Sequence, residues 1–374
     1  MLLTYPLTAM SRIAIIGSRG YPSYYSGFET LVRHLSPYLA AQGHEVTVYG
    51  RDDRIWPHSE HMDGIEVRYT PGIDRKSTST LSFGLSATLD ARRRHYDAAL
   101  VLNVANGPYL RILQHAGMPT CVNVDGMEWM RGKWGAIARS MFKHGAVQTA
   151  RYADRLIMDS TVIEQLWLDN FGRDGTFIPY GAPVLDNVGH DRLIEQNLNP
   201  AEYVLVVARI VPENNIDLLL DALVETEVPI VIVGDAGYRH ATTDRLEKLK
   251  GSGRIHWLGH VSDQLLLDQL WSNAGVYWHG HSVGGTNPAL LQALGAGAPT
   301  IALATPFNRE VLVRDEHLIP GDPGILRKTI LDILGNPAVQ DRMRSWGKYT
   351  VNSRYTWIGV CRAYEELLMS LVRS

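Results

Sequence analysis

The feature that most constrains this chain is a strand–helix alternation that runs along nearly its whole length and breaks once. Short β-rich apolar runs fall at 12–17 (RIAIIG), 44–50 (HEVTVYG), 65–71 (IEVRYTP), 97–103 (DAALVLN), 119–125 (PTCVNVD) and 155–160 (RLIMDS). Between the first two, Leu31, Val32, Leu35, Leu39 and Ala40 recur at helical spacing, and Gly43 supplies a stop. Alternation of this kind requires right-handed crossovers and a mostly parallel sheet covered on both faces. Around 182–201 the rhythm gives way to the polar stretch APVLDNVGHDRLIEQNLNPA. It then restarts at 202–209, 229–235, 254–260, 274–280 and 299–303. Two α/β units joined by a linker is the simplest organisation, and 374 residues are enough for two cores. The tail, through Trp357, Tyr364, Leu367, Leu368 and Leu371, traces an amphipathic closing helix.

Charge and cysteine content remove several function classes. Lys and Arg total 36 against 39 Asp and Glu, a net charge of −3, so no whole-protein basic field for nucleic acid is expected. Cys121 and Cys361 are too far apart for a metal cluster and too few for a disulfide framework, and they fit a reduced, cytoplasmic compartment. No apolar run approaches the ~20 residues that span a bilayer. The first residues lack the basic leading segment of a signal peptide.

In open parallel sheets, ligands sit beyond the carboxyl ends of the strands, and with two such sheets the cleft between domains is the default site. Four strand-end loops carry the chemistry. The first, GSRGYPSYYSGFET, places Gly17 and Gly27 for close backbone approach, with Arg19, Tyr24 and Tyr25 suited to an anion or a polyol. It lacks the G-x-G-x-x-G spacing of dinucleotide binders. The second, VDGMEWMRGKWG, puts Asp125 where a strand-end side chain enters the cleft, followed by Glu128 and Arg131. In the third, ARIVPENNID, Arg209 ends a strand, and its fork suits a phosphate. The fourth, HGHSVGGTNPALLQALGAG, is the strongest. Gly284, Gly285, Thr286 and Asn287 precede a helix opened by Pro288, so its first N–H groups are left for an anion, and Gln292 lies one turn in, within reach of a sugar hydroxyl. His279 and His281, two residues apart with no third ligand nearby in sequence, do not make a metal site. Residues 129–155 interleave Arg131, Lys133, Arg139, Lys143, Arg151 and Arg155 with aromatics. Two readings stay open for this stretch: a basic helix touching anionic lipid, or a solvated face over an ordinary core stripe.

At these loops the sequence resembles the GT-B glycosyltransferases of glycosyltransferase family 4, and within it the rhamnosyltransferase-like bacterial branch, along nearly the whole chain. ARIVPENNID and HGHSVGGTNPALLQALGAG carry the resemblance. It implies two Rossmann-like domains, 1–185 on the acceptor side and 186–356 for the nucleotide-sugar, facing across a cleft, with 357–374 crossing back to the first. It further implies that the first loop meets the donor diphosphate or acceptor, that Arg209 sits on the diphosphate, and that the Gly284–Asn287 helix start receives the phosphates. Val261, in LGHV, falls at the strand end that meets the nucleobase. Three positions depart from the wider family: Asn214 replaces a lysine, Asp125 a histidine, and Gln292 and Gly284 a pair of glutamates.

The expected function is retaining, metal-independent and cofactor-free transfer of a hexose or deoxyhexose, rhamnose favoured. The donor is a nucleoside diphosphate sugar, dTDP- or UDP-linked, and the acceptor a glycan or lipid-linked glycan of the cell surface. Asp125 and Arg209 are the catalytic candidates. Tyr24, Tyr25, Glu128 and Arg131 are the acceptor contacts, and the enzyme is expected in the cytoplasm, with contact to the inner face of the membrane left open. Two alternatives stay open: a catalytically weak sugar-nucleotide-binding partner of another transferase, and a nucleotide-sugar epimerase.

Overall fold

The computed structural model describes residues 10–23, 27–52, 56–73, 79–130, 135–237 and 239–373. The chain divides into two compact units, one comprising Met1–Pro179 with Ile358–Ser374, the other Tyr180–Trp357.

In the first unit, β1 (Arg12–Ile16), β2 (Glu45–Asp52), β3 (His58–Met62), β4 (Ile65–Pro71), β5 (Ala98–Leu102), β6 (Thr120–Asn123), β7 (Arg155–Met158) and β8 (Thr176–Phe177) form one sheet, ordered β3-β4-β2-β1-β5-β6-β7-β8. Every neighbouring pair is parallel except β3 with β4. Ile13 to Ile16 are fully buried, as a central strand covered on both faces must be. In the second unit, β9 (Val204–Val207), β10 (Ile230–Val233), β11 (Ile255–Gly259), β12 (Val276–His279), β13 (Thr300–Leu303) and β14 (Leu318–Ile319) form an all-parallel sheet, ordered β11-β10-β9-β12-β13-β14. Its core packs Val204, Val206, Ile232, Trp278 and Ile301 against Leu219 and Ile330 from the covering helices.

The eleven strands expected from the alternation are present, and three more occur. β3 pairs antiparallel with β4 through the Asp63-Gly64 turn, whose two residues both have positive φ (53° and 76°), the backbone a two-residue hairpin requires. β8 and β14 are two-residue edge strands.

The stretch 182–201 is not the free linker its polarity suggested. Leu193 and Leu198 are buried, Ala182 N–H donates to the Tyr355 carbonyl, and Leu185 N–H donates to that of Gly295. These bonds tie it to the second unit, so the division falls between Pro179 and Tyr180 rather than between 185 and 186. The closing helix, Trp357–Val372, buries Val360, Cys361, Tyr364, Leu368, Met369 and Leu371. Within the first unit its Glu365 accepts hydrogen bonds from Tyr38 (3.0 Å) and lies 3.2 Å from the buried His44 ring.

Both sheets reverse their winding direction once, between β1 and β5 in the first unit and between β9 and β12 in the second. Crevices at such switch points, at the carboxyl ends of the strands, are where this architecture binds ligands.

Candidate functional site

In the second unit, the two loops that motif reading favoured flank the switch point: Arg209 follows β9, and the Gly284–Asn287 loop follows β12. A set of side-chain bonds to main-chain carbonyls fixes these loops. Asn214 donates to the Arg209 carbonyl at 2.7 Å, and Val211 N–H reaches the same oxygen at 2.9 Å. Asn215, left-handed at φ 49°, donates to the Glu213 and Gly280 carbonyls. Ser282 sends both its N–H and its hydroxyl to the Glu213 carbonyl, each at 2.9 Å. Asn308, from the helix after β13, donates to the His281 and Leu303 carbonyls at 3.0 and 2.9 Å. A side chain at Gly280 would collide with the Asn214 carbonyl, so the two loops touch through backbone.

With its carbonyl held twice, Arg209 leaves its guanidinium exposed, and that group makes no hydrogen bond or ion pair among the described residues. After the β12 loop, the helix Pro288–Ala296 is capped by Asn287, whose Oδ1 accepts from Ala289 N–H at 3.0 Å. Pro288 at the first helical position forfeits no bond. Gly284 has φ 130° with open space around it, so glycine is required there by the backbone and not by crowding. Gly285 and Gln292 are half-buried, and Thr286 is buried. Val261, also half-buried, lies just beyond the carboxyl end of β11.

His279 and His281 stack at 4.1 Å, nearly parallel, with His279 fully buried against the Tyr277 hydroxyl. Burial drives the His279 pKa well below its ordinary value, so the ring is neutral packing under the loop. Among the described residues, no group of three His, Cys, Asp or Glu is placed to hold a metal.

In the first unit, Gly17 (φ 105°) ends the loop side of β1 against the Leu102 carbonyl, where any Cβ would clash. The exposed Arg19 is anchored by its N–H, which donates to Glu29 Oε1 at 3.1 Å. Glu29 is buried in the first turn of the helix Gly27–Ala41, of which the half-buried Gly27 is the first residue. Asp125, half-buried, lies just beyond β6 in the left-handed region (φ 59°), and its N–H donates to Asn123 Oδ1 at 3.0 Å. Glu128, expected as an acceptor contact, is only 5% exposed at the start of a short helical turn. Tyr24, Tyr25 and Arg131 lie outside the described residues.

The two halves of the helix Ala136–Tyr152 differ. In its first half Ile137 is 81% and Met141 43% exposed beside the exposed Arg139 and Lys143, while Gly145, Ala146 and Thr149 bury the second half. No described helix is long and apolar enough to cross a membrane.

Sequence reading singled out the two strand-end loops of the second unit and Asp125 but passed over Asn215, Ser282 and Asn308, which brace those loops, and Glu29, which accepts Arg19 N–H. A left-handed Asn after Asn214 and an N-terminal acid in the first helix were the only local signals.

Two winding reversals with glycine-bearing strand ends beside them define the GT-B class, and solved structures share the fold. Sucrose-phosphate synthase from Thermosynechococcus elongatus superposes with TM-score 0.79 at 20% identity, covering 96% of this chain and 99% of that one. The Anabaena protein HepE, in complex with UDP and glucose, gives 0.76 at 16% identity, covering 96% and 100%. Residues 26–181 match the glycosyl transferase 4-like domain and residues 191–351 the glycosyl transferases group 1. The chain thus carries these two glycosyltransferase family domains in succession. The GtfA subunit of a UDP-N-acetylglucosamine–peptide N-acetylglucosaminyltransferase from Streptococcus agalactiae is 28% identical over 125 residues, 31% of this chain. The match spans 24% of that relative's length.

Proposed function

We propose that the protein transfers a hexose or deoxyhexose, rhamnose favoured, from a nucleoside diphosphate sugar to a glycan or lipid-linked acceptor in cell-surface polysaccharide synthesis, with retention at the anomeric carbon and without a metal. The observation that carries this reading is that the exposed Arg209, whose guanidinium makes no bond among the described residues, and the start of the helix Pro288–Ala296 follow the two strands at the switch point of the second sheet. The bound UDP and UDP-glucose of the Anabaena relative support a nucleoside diphosphate as ligand.

Glycosyl transfer passes through an oxocarbenium-like transition state while negative charge builds on the leaving group. Arg209 and the N–H groups of Gly285 to Asn287 stabilise the departing diphosphate. Gln292 donates to or accepts from a ribose hydroxyl as a neutral partner. Asn214 is spent on the Arg209 carbonyl, so it acts on the donor only through the loop it braces. In the first unit, Asp125 orients the transferred sugar or stabilises positive charge on its ring. The departing phosphate oxygen takes the acceptor proton, so no separate base is needed. The exposed apolar and basic start of the helix Ala136–Tyr152 supports contact with an anionic membrane carrying a lipid-linked acceptor.

A thermal-shift screen of UDP, dTDP, GDP and their sugars tests the ligand class, because a ligand that prefers the native state raises Tm. Stabilisation by none of them overturns the reading. Isotopic transfer from the best donor then tests the chemistry. Binding without turnover on any acceptor favours a non-catalytic partner of another transferase, a reading to which the loss of a second cation at Asn214 lends support. Conversion of the donor with no acceptor present favours an epimerase.

A further inference from the structure

The closing helix reaches the turn that carries Asp125. Asn123, the last residue of β6 and 1% exposed, accepts Asp125 N–H on Oδ1 at 3.0 Å and donates from Nδ2 to the Tyr364 hydroxyl at 2.6 Å. The amide orientation follows from chemistry: a main-chain N–H only donates, so it must meet the oxygen, which turns the NH₂ toward the phenol. Tyr364 is itself 1% exposed on the helix Trp357–Val372, and it is 241 residues from Asn123 in sequence. Burial keeps its phenol neutral, and the nearby Asp159 carboxylate acts in the same direction, against the pull of the Asn123 bond. Asp125 needs such a support. A non-glycine residue at φ 59° sits in a sparsely populated region and persists there only where its surroundings hold it.

We propose that Tyr364 is a positioning residue for the transfer reaction: through Asn123 it holds the Asp125 turn in its left-handed conformation and so fixes the carboxylate. The inference rests on the assignment of Asp125 as the sugar-facing group. It gives the closing helix a part in catalysis that its packing alone would not.

The test is a double-mutant cycle of Tyr364→Phe and Asp125→Asn in the full chain, with turnover of UDP-glucose and dTDP-rhamnose followed isotopically. Hydrogen exchange over residues 123–130 is measured in parallel. Tyr364→Phe keeps the ring and removes only the hydroxyl. It is expected to lower kcat roughly 10- to 100-fold, the scale of a small misplacement of a reacting group, with KM for the donor unchanged. It is expected to speed exchange in 123–130 without speeding it along 358–372. In the Asp125→Asn background the same substitution is expected to have no further effect on kcat.

Equal loss of kcat in both backgrounds, or an unchanged exchange pattern at 123–130, overturns the positioning role while leaving Asp125 in place. Wild-type turnover by Asp125→Asn overturns the assignment of Asp125 and the inference with it. If Tyr364→Phe does not fold, Asn123→Ala, which removes both bonds from the sheet side, takes its place in the cycle with the same expectations. The exchange measurement decides the matter even where neither sugar nucleotide is turned over.

Discussion

Arg209 owes its place to what surrounds it. Its carbonyl is held by Asn214 and Val211, so the loop is fixed while the guanidinium stays open to solvent. Arg209→Ala is expected to reduce kcat/KM about 100-fold or more, the usual loss when one contact to developing negative charge is removed. Arg209→Lys should fall between, because it keeps the charge but loses the two-pronged geometry. Steady-state kinetics with the donor found by thermal shift checks both. At Gly284 the constraint is backbone alone, so Gly284→Ala is expected to cost about 1–3 kcal/mol of strain, seen as a weaker ligand-induced Tm shift. These two residues were legible in sequence, one as a charge at a strand end and the other as a glycine before a helix. Asn215, Ser282 and Asn308 were not, because their partners are main-chain carbonyls in loops distant along the chain. A carbonyl leaves no trace in residue type.

At the level of elements, Asn308 spans two strand ends, after β12 and after β13. Asn308→Ala frees both carbonyls in a buried place and is expected to lower stability by about 1–3 kcal/mol. It should raise donor KM as the β12 loop loosens, read by urea denaturation and initial rates. The helix Ala136–Tyr152 yields a different expectation. Ile137→Ser with Met141→Ser should abolish sedimentation with phosphatidylglycerol vesicles while leaving turnover of a soluble acceptor intact; sedimentation equal to wild type would remove the membrane role. The central strands could be read from sequence because burial on both faces makes them continuous apolar runs. β3 could not, since HSEHM lies at the sheet edge and its side chains are half-buried or exposed. The Asp63-Gly64 pair beside it was the available clue. The stretch 182–201 misled in the opposite sense: two buried leucines, main-chain bonds from Ala182, Leu185 and Ala201, and bonds with the side chains of Gln269, Asn273 and Lys348 dock a polar segment.

For the whole molecule, protonation links stability to pH. His34 and His317 are each pushed down to about 4 from an ordinary 6.5, chiefly by burial; the Arg33 charge adds to the effect at His34, while at His317 the Glu316 carboxylate opposes it and Arg314 adds a smaller push down. A depressed histidine is neutral in the fold while the unfolded chain takes up the proton. The stability these residues contribute is therefore complete above pH 6.5 and is lost as pH falls toward 4. Tm should decline across that window, and His317→Gln should flatten the slope; a Tm independent of pH between 7 and 4.5 would contradict both burials. Removing 358–374 is a second test at this scale. Limited proteolysis should then show the first unit unfolded and the second still protected, because the lost segment takes seven buried side chains, Glu365 among them, from one core only.

That core is assembled from two stretches far apart along the chain, 1–179 with 358–374. During synthesis on the ribosome the earlier half must wait, incomplete, until some 180 later residues have been added, while the later half already holds every strand and helix of its own. The part begun first is finished after the second, and the Asn123 beside its acid-bearing turn meets Tyr364 only once the second unit has been made.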